Sequence, residues 1–223
     1  MSYSRYAIYY LPSNVDFARS GAGWLGWDAV AGRVVTQPDI AGVQAATAAP
    51  RRYGFHATIQ APFRLAAGCD LSDLKQAVAQ LAKDCAPALA QGLQIVPLGR
   101  FLALTPMGDT SDICRLAASI VRGMSAYRAP LIEADFARYN KPGLTPAQQE
   151  LLLRWGYPYV MEAYRFHMTL TGRLPKGELA QWQKKTQAHF AALPSPFILN
   201  HIALMGERQD GYFERIGQYA LNG

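Results

Sequence analysis

The chain has 223 residues, of which 50% are hydrophobic and 17% are charged. This composition is typical of a globular protein with a sizeable core, and no stretch approaches the roughly 20 consecutive apolar residues of a membrane helix. The formal net charge of +6 favours anionic partners, but the Lys and Arg residues are scattered and form no basic run of the kind found in nucleic-acid-binding arms.

The N-terminal sequence "MSYSRYAIYYLP" lacks the apolar core and cleavage site of a signal peptide, so we expect a cytoplasmic protein with no membrane partner. The cysteines Cys69, Cys85 and Cys114 lie far apart without a C-x-x-C pair, which predicts neither a disulfide framework nor a zinc site. The sequence contains no H-E-x-x-H and no P-loop, so it indicates neither a zinc protease nor a P-loop nucleotidase.

Hydrophobic patterning predicts strands and helices that mix without a strict βαβ rhythm. The predicted strands are "RYAIYYLP", "YGFHATIQA", "LQIVPLGRFLALTP", "YRFHMTLTG", "PFILNHIALMGE" and "GYFERIGQYAL". The predicted helices are "DLSDLKQAVAQLAKDCAPAL", "DTSDICRLAASIVRGMSAY", "LTPAQQELLLRWG" and "ELAQWQKKTQAHFAAL". This mixture favours an α+β fold with largely antiparallel sheets.

Capping residues support two of the predicted helices, and the position of a glycine-rich motif argues against a dinucleotide site. Asp70 is a predicted N-cap, and Thr145 with Pro146 begins a helix that ends at Gly156. "GAGWLG" has the G-x-G-x-x-G spacing of a dinucleotide site but does not directly follow a strand, so we expect a loop there and no nucleotide cofactor. We also expect a solvated turn at "FARYNKPG".

A repeated motif is the main functional signal. "YGFHATIQA" and "YRFHMTLTG" share the pattern Tyr-x-Phe-His-x-Thr, and each precedes a helix and then a β-rich segment. The histidines, His56 and His167, lie about half a chain apart, which indicates an ancient duplication. We therefore predict one bilobal domain over residues 1–223, with lobes near 1–110 and 111–223.

Alternation along a strand assigns the polar residues of each motif to one face. That face would carry His56, Thr58 and Gln60 in the first copy, and Arg165, His167, Thr169 and Thr171 in the second. Two histidines across a cleft supply a general base and a general acid for displacement at phosphorus. The threonine hydroxyls can donate to the phosphate oxygens, and Arg165 can neutralise phosphate charge.

Aromatic residues near the second motif leave two interpretations open. Trp155, Tyr157 and Tyr159 in "RWGYPYV" can stack on a base or a ribose, which would make Tyr157 and Tyr159 substrate-binding residues. They can equally belong to the core, where aromatic side chains are common.

The blocks "HATI" and "HMTL" resemble the paired H-x-T signatures of the two-histidine (2H) phosphoesterase superfamily. The longer blocks "YGFHATIQAPF", "LTPAQQELLLRWGYPYV" and "YRFHMTLTGRL" resemble a bacterial subfamily of unassigned function, often encoded in phosphonate-utilisation operons. The resemblance implies a bilobal α+β fold with a pseudo-twofold axis and a central cleft between antiparallel sheets and flanking helices. This sequence has Gln60 where the subfamily carries Lys, which implies weaker binding or a less charged substrate.

The resemblance also implies metal-independent chemistry without a cofactor on 2′,3′-cyclic phosphates, related ribose cyclic phosphates or RNA ends. His56 and His167 would then be the acid/base pair, and Thr58 and Thr169 would bind phosphate. The substrate would be a small anionic phosphate ester or cyclic nucleotide, such as a phosphoribosyl cyclic phosphate. The alternatives are a module that binds a nucleotide or RNA end without turnover, and an enzyme of RNA 2′–5′ ligation or end processing. The sequence leaves the oligomeric state open.

Overall fold

The computed structural model describes residues 3–223 as a mixture of short strands and helices. The strands are β1 (Tyr6–Tyr10), β2 (Trp27–Asp28), β3 (Arg33–Val34), β4 (Ala57–Phe63), β5 (Ala88–Ala90), β6 (Gly92–Leu98), β7 (Phe101–Met107), β8 (Met168–Thr169), β9 (Phe197–Leu199), β10 (His201–Glu207) and β11 (Phe213–Ala220). The α-helices are α1 (Val15–Leu25), α2 (Val43–Arg51), α3 (Leu71–Lys83), α4 (Ser111–Gly123), α5 (Glu133–Tyr139), α6 (Pro146–Trp155) and α7 (Leu179–His189). None of the helices in this range is long and apolar enough to cross a membrane.

A seven-stranded sheet in the order β11-β10-β1-β4-β8-β7-β6 forms the centre of the molecule. Every neighbouring pair in it is antiparallel, which confirms the predicted α+β class with antiparallel strands. The strands β5 and β9 form a separate antiparallel pair, as do β2 and β3. The flanking helices therefore pack on one continuous sheet.

The main core lies between the helices and one face of the sheet. Side chains such as Ile8, Ile59 and Leu104 pack there with Trp24 of α1 and Ile113 of α4, and all five are almost fully buried. These sheet residues alternate with others that point to the opposite face, as the two-residue period of a strand requires. The opposite face is therefore left to carry the polar residues of the motifs.

The order of elements along the chain repeats. Apart from the β2–β3 pair and β11, which have no counterpart, the first copy runs β1, α1, α2, β4, α3, β5, β6, and the second runs β7, α4, α5, α6, β8, α7, β9, β10. In the sheet, β6 of the first copy pairs with β7, and β10 of the second pairs with β1. The two copies thus exchange a strand, and each half of the sheet contains strands from both halves of the sequence. A lobe boundary near residue 110 therefore stays a prediction.

The predicted starts of α3 and α6 and the predicted end of α6 agree with the structure, whereas α3 ends at Lys83, before the predicted end at Leu89, which lies in β5. Asp70 and Thr145 each accept a hydrogen bond from the backbone three residues on, and each belongs to a capping box. Gly156 adopts a left-handed conformation with φ 76° and caps the C-terminus of α6. Local signals were therefore sufficient to locate these two helices.

One prediction about a loop is wrong, and another holds only in part. Residues 21–25 of "GAGWLG" belong to α1, which begins after the N-cap Asn14 and ends at Gly26. Glycine disfavours helices, but a side chain at position 21 would occupy the space of the Phe55 ring, so close packing explains this glycine. At "FARYNKPG", helix α5 extends through Tyr139, and the exposed turn that we expected covers only residues 140–143.

The contact of α1 with Phe55 gives a testable prediction. A Cβ on Gly21 would lie 1.8 Å from a Phe55 ring atom, whereas one on Gly23 would meet only the Thr36 carbonyl oxygen at 3.8 Å. We expect Gly21→Ala to lower the free energy of unfolding by about 1–3 kcal/mol through overpacking. The matched change Gly23→Ala should raise it by about 0.5–1 kcal/mol, because alanine favours the helix. Urea denaturation of both variants checks this, and equal effects would contradict it.

Candidate active site

The two H-x-T motifs meet where β4 pairs with β8. Ala57 lies opposite Met168, and both side chains point into the helix-side core with no exposed surface. Continuing this antiparallel register places His56 beside Thr169 and Thr58 beside His167, on the other face. Opposite side chains lie about 4.5–5.5 Å apart between Cβ atoms and diagonal ones about 7–8 Å. The histidines therefore occupy opposite corners of a small square, with a threonine at each remaining corner.

Both histidines are oriented by a backbone carbonyl two residues earlier. Nδ1 of His56 lies 2.9 Å from the Gly54 oxygen, and Nδ1 of His167 lies 2.9 Å from the Arg165 oxygen. A carbonyl oxygen only accepts, so Nδ1–H donates in each case and the neutral ring carries its lone pair on Nε2. Each imidazole is thus prepared to take a proton at Nε2 or, when charged, to give one from it.

The first copy reaches this geometry through a glycine. Gly54 has φ 77°, and a Cβ at this position would lie 2.5 Å from the Cβ of Ala29. The left-handed turn directs the Gly54 carbonyl toward His56. In the second copy, Arg165 supplies the equivalent carbonyl, so the difference between Gly54 and Arg165 does not break the symmetry of the histidine contacts.

The two histidines differ in what covers them. Tyr9 of β1, paired with Thr58, stacks on the His56 ring with centroids 3.8 Å apart and planes 27° apart. The corresponding partner of Thr169 is Ala103 of β7, and the nearest aromatic ring to His167, Phe101, lies 6.0 Å away by centroids. His56 is therefore the covered histidine and His167 the open one.

Burial is the main cause of a lowered pKa at His56. Burial lowers the pKa of His56 from 6.5 to about 4, and the charge of His167 lowers it further. The hydrogen bond to the Gly54 carbonyl acts in the opposite direction and raises the pKa. His56 is therefore neutral at pH 7, with its Nε2 lone pair 3.0 Å from the Thr58 hydroxyl oxygen. A neutral base beside a second histidine is the arrangement that acid/base catalysis requires.

An aromatic and charged cluster surrounds the covered side. Tyr9, Phe213 and Tyr53 pack in series, with centroids 5.9 Å and 5.3 Å apart. Beside them, Arg5 forms a bidentate ion pair with Glu207 at 2.5 and 2.6 Å. The charges of Arg5 and Glu207 compensate each other, so this pair holds β1 to β10 and adds little net charge.

The structure does not bring Gln60 and Thr171 to the open face. A bulge in β4 between the pairs Tyr9–Thr58 and Ile8–Gln60 interrupts the alternation, and Gln60 is only 3% exposed, with its amide donating to the Ala61 oxygen. After Thr169 the chain leaves the ladder, and the fully buried Thr171 hydroxyl oxygen accepts from the Leu102 N–H. Both assignments assumed a regular strand, and both strands are irregular at these positions.

The other predicted substrate-binding residues lie near the motifs. Arg165 is exposed and contributes its carbonyl to His167. The Tyr157 ring meets Tyr139 and Tyr159 edge to face, with centroids 5.1 and 5.6 Å apart. The roles of Arg165, Tyr157 and Tyr159 in substrate binding stay predictions.

Sequence reasoning missed Tyr9 and Tyr53, and it weighed Arg138, Tyr139 and Lys141 as residues around the cleft but favoured a solvated turn there. Tyr9 lies in a strand whose five residues are all buried, so the pattern gave no sign of which side chain faces His56. Tyr53 was part of the repeated motif, and that repetition was the available signal. Tyr139 lies in a polar segment with no apolar periodicity, and in the structure its ring packs against Tyr157.

The four motif residues are partly buried, and they do not line the concavities beside α1 and α2. The paired histidines and threonines, rather than the size of a cavity, therefore identify this site.

Within residues 3–223, no three His, Cys, Asp or Glu side chains cluster in a way that could hold a metal ion. Metal independence of the reaction stays a prediction.

Comparison with known proteins gives a family. The model described as "Protein of unknown function (DUF1045)" matches residues 58–214. Two relatives named "Ribose 1,5-bisphosphate phosphokinase PhnN" are similar to this chain. The protein of Janthinobacterium sp. (strain Marseille) is 36% identical over 221 residues, covering 94% of this chain and 49% of its own. The protein of Laribacter hongkongensis (strain HLHK9) is 37% identical over 215 residues, and the match covers 93% of this chain and 49% of the relative.

The chain thus spans about half the length of the curated relatives it matches. Among solved structures, the crystal structure of E. coli LigT in apo form aligns over 100% of both chains at 12% identity and a TM-score of 0.45. This likeness is too low to carry an argument about the site.

The turn at Gly54 gives a prediction about the position of His56. Gly54→Ala should be destabilising by about 2 kcal/mol or more, since it combines a strained positive φ with a 2.5 Å approach to Ala29. Gly68→Ala is the matched control, because Gly68 has φ 82° with nothing within 4 Å of a Cβ, and it should cost only about 1–2 kcal/mol. Denaturant unfolding measures both changes. A Gly54 variant no less stable than the Gly68 variant would disprove the contact.

The lowered pKa of His56 predicts a pH dependence of stability. As the pH falls below 6.5, unfolded chains bind a proton at this histidine before folded ones do, so stability decreases until about pH 4. His56→Gln should remove up to about 3 kcal/mol of this decrease. Urea denaturation between pH 7 and 4 checks it. The pKa of His201 is also lowered by burial, but His201 is present in both proteins, so its effect on the pH dependence of stability cancels in the comparison. Identical pH profiles would contradict a buried neutral His56.

Proposed function

Because the chain belongs to the DUF1045 family, whose function is open, we propose a function from its site: a metal-independent phosphoesterase that hydrolyses a cyclic phosphate of a ribose or nucleotide. The observation that carries the proposal is the β4–β8 register, which sets two histidines and two threonines around one small area of the sheet. The resemblance of the motifs to those of two-histidine phosphoesterases agrees with this chemistry.

In the proposed reaction, a water molecule attacks phosphorus and gives a proton to Nε2 of His56. The bond from phosphorus to one ribose oxygen breaks, and that oxygen takes a proton from Nε2 of His167. The products are a phosphate monoester and a free hydroxyl group. His56 is assigned the base because burial beneath Tyr9 keeps it neutral, which leaves His167 as the proton donor.

Thr58 and Thr169 bind the phosphate oxygens that do not react. Their hydroxyl groups lie at the corners between the histidines, where each can donate to an oxygen that gains charge as water attacks. Before substrate binds, Thr58 contacts His56 Nε2, so its hydroxyl group would turn to the phosphate and leave the lone pair free for water. Thr58 would thereby couple phosphate binding to activation of the base.

The names of the relatives suggest a substrate. They carry ribose 1,5-bisphosphate in their name, and hydrolysis of a 5-phosphorylated ribose 1,2-cyclic phosphate at the bond to O2 yields that compound. The present chain has no P-loop, so the kinase activity in the name need not belong to the half that matches. A phosphoribosyl cyclic phosphate, as an intermediate of phosphonate breakdown, is therefore the substrate we propose to test first.

The alternative is a module that binds a nucleotide or an RNA end without turnover. The net charge of +6 is compatible with it. Binding alone, however, does not require two imidazoles with the same tautomer, each fixed through Nδ1. RNA 2′–5′ ligation or end processing would use the same residues and would favour oligonucleotides over mononucleotides.

Turnover in EDTA tests the proposed function. The panel contains 2′,3′-cyclic nucleotides, ribose 1,2-cyclic phosphates and RNAs that end in a cyclic phosphate. Because both proton transfers are needed, His56→Ala and His167→Ala should each lower kcat about 10²–10⁴-fold. His189→Gln is the control, since His189 contacts the Ser20 oxygen away from the motifs, and it should leave turnover unchanged.

The pH profile of kcat/KM should be bell-shaped, with the acid limb near pH 4, where His56 becomes protonated. Loss of His56 should remove that limb from any residual activity. Activity abolished by EDTA and restored by a divalent metal would refute metal independence. Tight nucleotide binding without turnover of any compound would favour the binding module.

A further inference from the structure

The tyrosines that begin the two motif copies lie in different surroundings. Tyr164 is buried in the main core together with Phe166. Tyr53 instead packs against Phe213, in the cluster on the opposite face of the sheet. The proposed reaction uses neither hydroxyl group, so the contacts of these two groups indicate what else the motifs do.

The backbone before each histidine explains the difference. In the second copy, Tyr164, Phe166 and Met168 are buried at every second position, as in a regular strand. In the first copy, the left-handed turn at Gly54, with φ 77°, breaks this alternation and leaves Tyr53 on the other face. Of the two motif tyrosines, Tyr164 is therefore the one that lies beneath the paired strands.

The hydroxyl group of Tyr164 connects the two copies. It donates a hydrogen bond to the backbone oxygen of Thr58 at 3.1 Å, so the donor lies in the second motif and the acceptor in the first. Burial raises the pKa of Tyr164 well above its ordinary value of 10.0. The hydroxyl group thus stays protonated at neutral pH and is available as a donor to this carbonyl.

Thr58 lies where the regular pairing of β4 ends. Within residues 3–223, the ladder of β4 with β8 consists of the single pair Ala57–Met168. On the side of β1, the bulge follows directly after the pair Tyr9–Thr58. A bulge disrupts the ladder locally, and a carbonyl group in a protein interior requires a donor. The sheet therefore constrains the backbone of Thr58 less than that of Ala57, and Tyr164 adds a constraint from the core.

The same threonine extends this connection to the reacting groups. The hydroxyl oxygen of Thr58 lies 3.0 Å from Nε2 of His56, and in the proposed reaction it turns to the phosphate. A rotation of the Thr58 backbone would move this hydroxyl group relative to both. A misplacement of about 1 Å in a catalytic site can lower a rate about 100-fold, so the position of the Thr58 backbone matters for turnover.

We propose that Tyr164 is a positioning residue, which places the Thr58 hydroxyl group through a hydrogen bond to the Thr58 carbonyl oxygen. The inference rests on the proposed function, and Tyr164 contributes to turnover without touching the substrate. Because Tyr164 belongs to the second copy and Thr58 to the first, the phosphate-binding group of one motif depends on the other motif for its position.

A double-mutant cycle of Tyr164→Phe and Thr58→Val tests the proposal, with the substrate of the panel that is turned over fastest. Tyr164→Phe removes the hydroxyl group but keeps the buried ring, and it should lower kcat about tenfold. In the Thr58→Val background the same change should lower kcat less than about twofold, because the group that Tyr164 positions is already absent. A merely structural effect would lower kcat by the same factor in both backgrounds, and that result would overturn the proposal.

Tyr10→Phe is the matched control. Tyr10 is buried in the same core and its ring centroid lies 6.0 Å from that of Phe166, but among residues 3–223 its hydroxyl group donates to no residue of either motif. This variant should leave kcat unchanged, and urea denaturation should show that both tyrosine variants are folded under the assay conditions. A loss of kcat in Tyr10→Phe as large as that in Tyr164→Phe would contradict a specific role of Tyr164.

If no compound of the panel is turned over, the proposed function fails, and nuclear magnetic resonance decides the positioning separately. The ¹⁵N chemical shift of His56 Nε2 reports its contact with the Thr58 hydroxyl group. Tyr164→Phe should change this shift, whereas Tyr10→Phe should not. Equal shifts in the wild type and Tyr164→Phe would overturn the proposal.

Discussion

The pairing of Ala57 with Met168 is the constraint on which the site depends. Both side chains are fully buried in the helix-side core, and this burial determines the register of β4 against β8. A slip of one residue would move the apolar side chains to the open face and the histidines into the core. Hydrophobic packing on the helix side of the sheet thus fixes the positions of the histidines and threonines on the other side. The two residues of β8 are sufficient for this pairing.

The two copies of the motif supply two similar histidines, and the surrounding residues make them different. At equivalent positions, Tyr9 opposes Thr58 and Ala103 opposes Thr169. The larger side chain covers His56 and disfavours its charged form, while His167 stays open. A symmetric pair would leave the roles of base and acid interchangeable. In the reaction we propose, the change between tyrosine and alanine on the neighbouring strand would make His56 the base and His167 the acid, without altering either motif.

Much of the fold could be predicted because its signals are local. Capping at Asp70 and Thr145 located α3 and α6, and the repeated motif brought His56 and His167 to attention. The errors arose where distant contacts override local rules. Helix α1 contains Gly21, which its packing on Phe55 requires, and the bulge in β4 removes Gln60 from the face that alternation assigns to it. Tyr139 lies in a polar segment whose position depends on an ion pair with Arg64, which no pattern in its own sequence reveals.

The exchange of strands explains why the two copies form one unit. β6 completes the half of the sheet that holds His167, and β10 completes the half that holds His56. Each copy alone would leave unpaired strand edges and an uncovered apolar face. The covering helices are exchanged in the same way, since α3 packs on β10 and α7 packs on β6. Each histidine therefore depends on elements of the other copy for its support, and the four motif residues are assembled only when the whole sheet is formed.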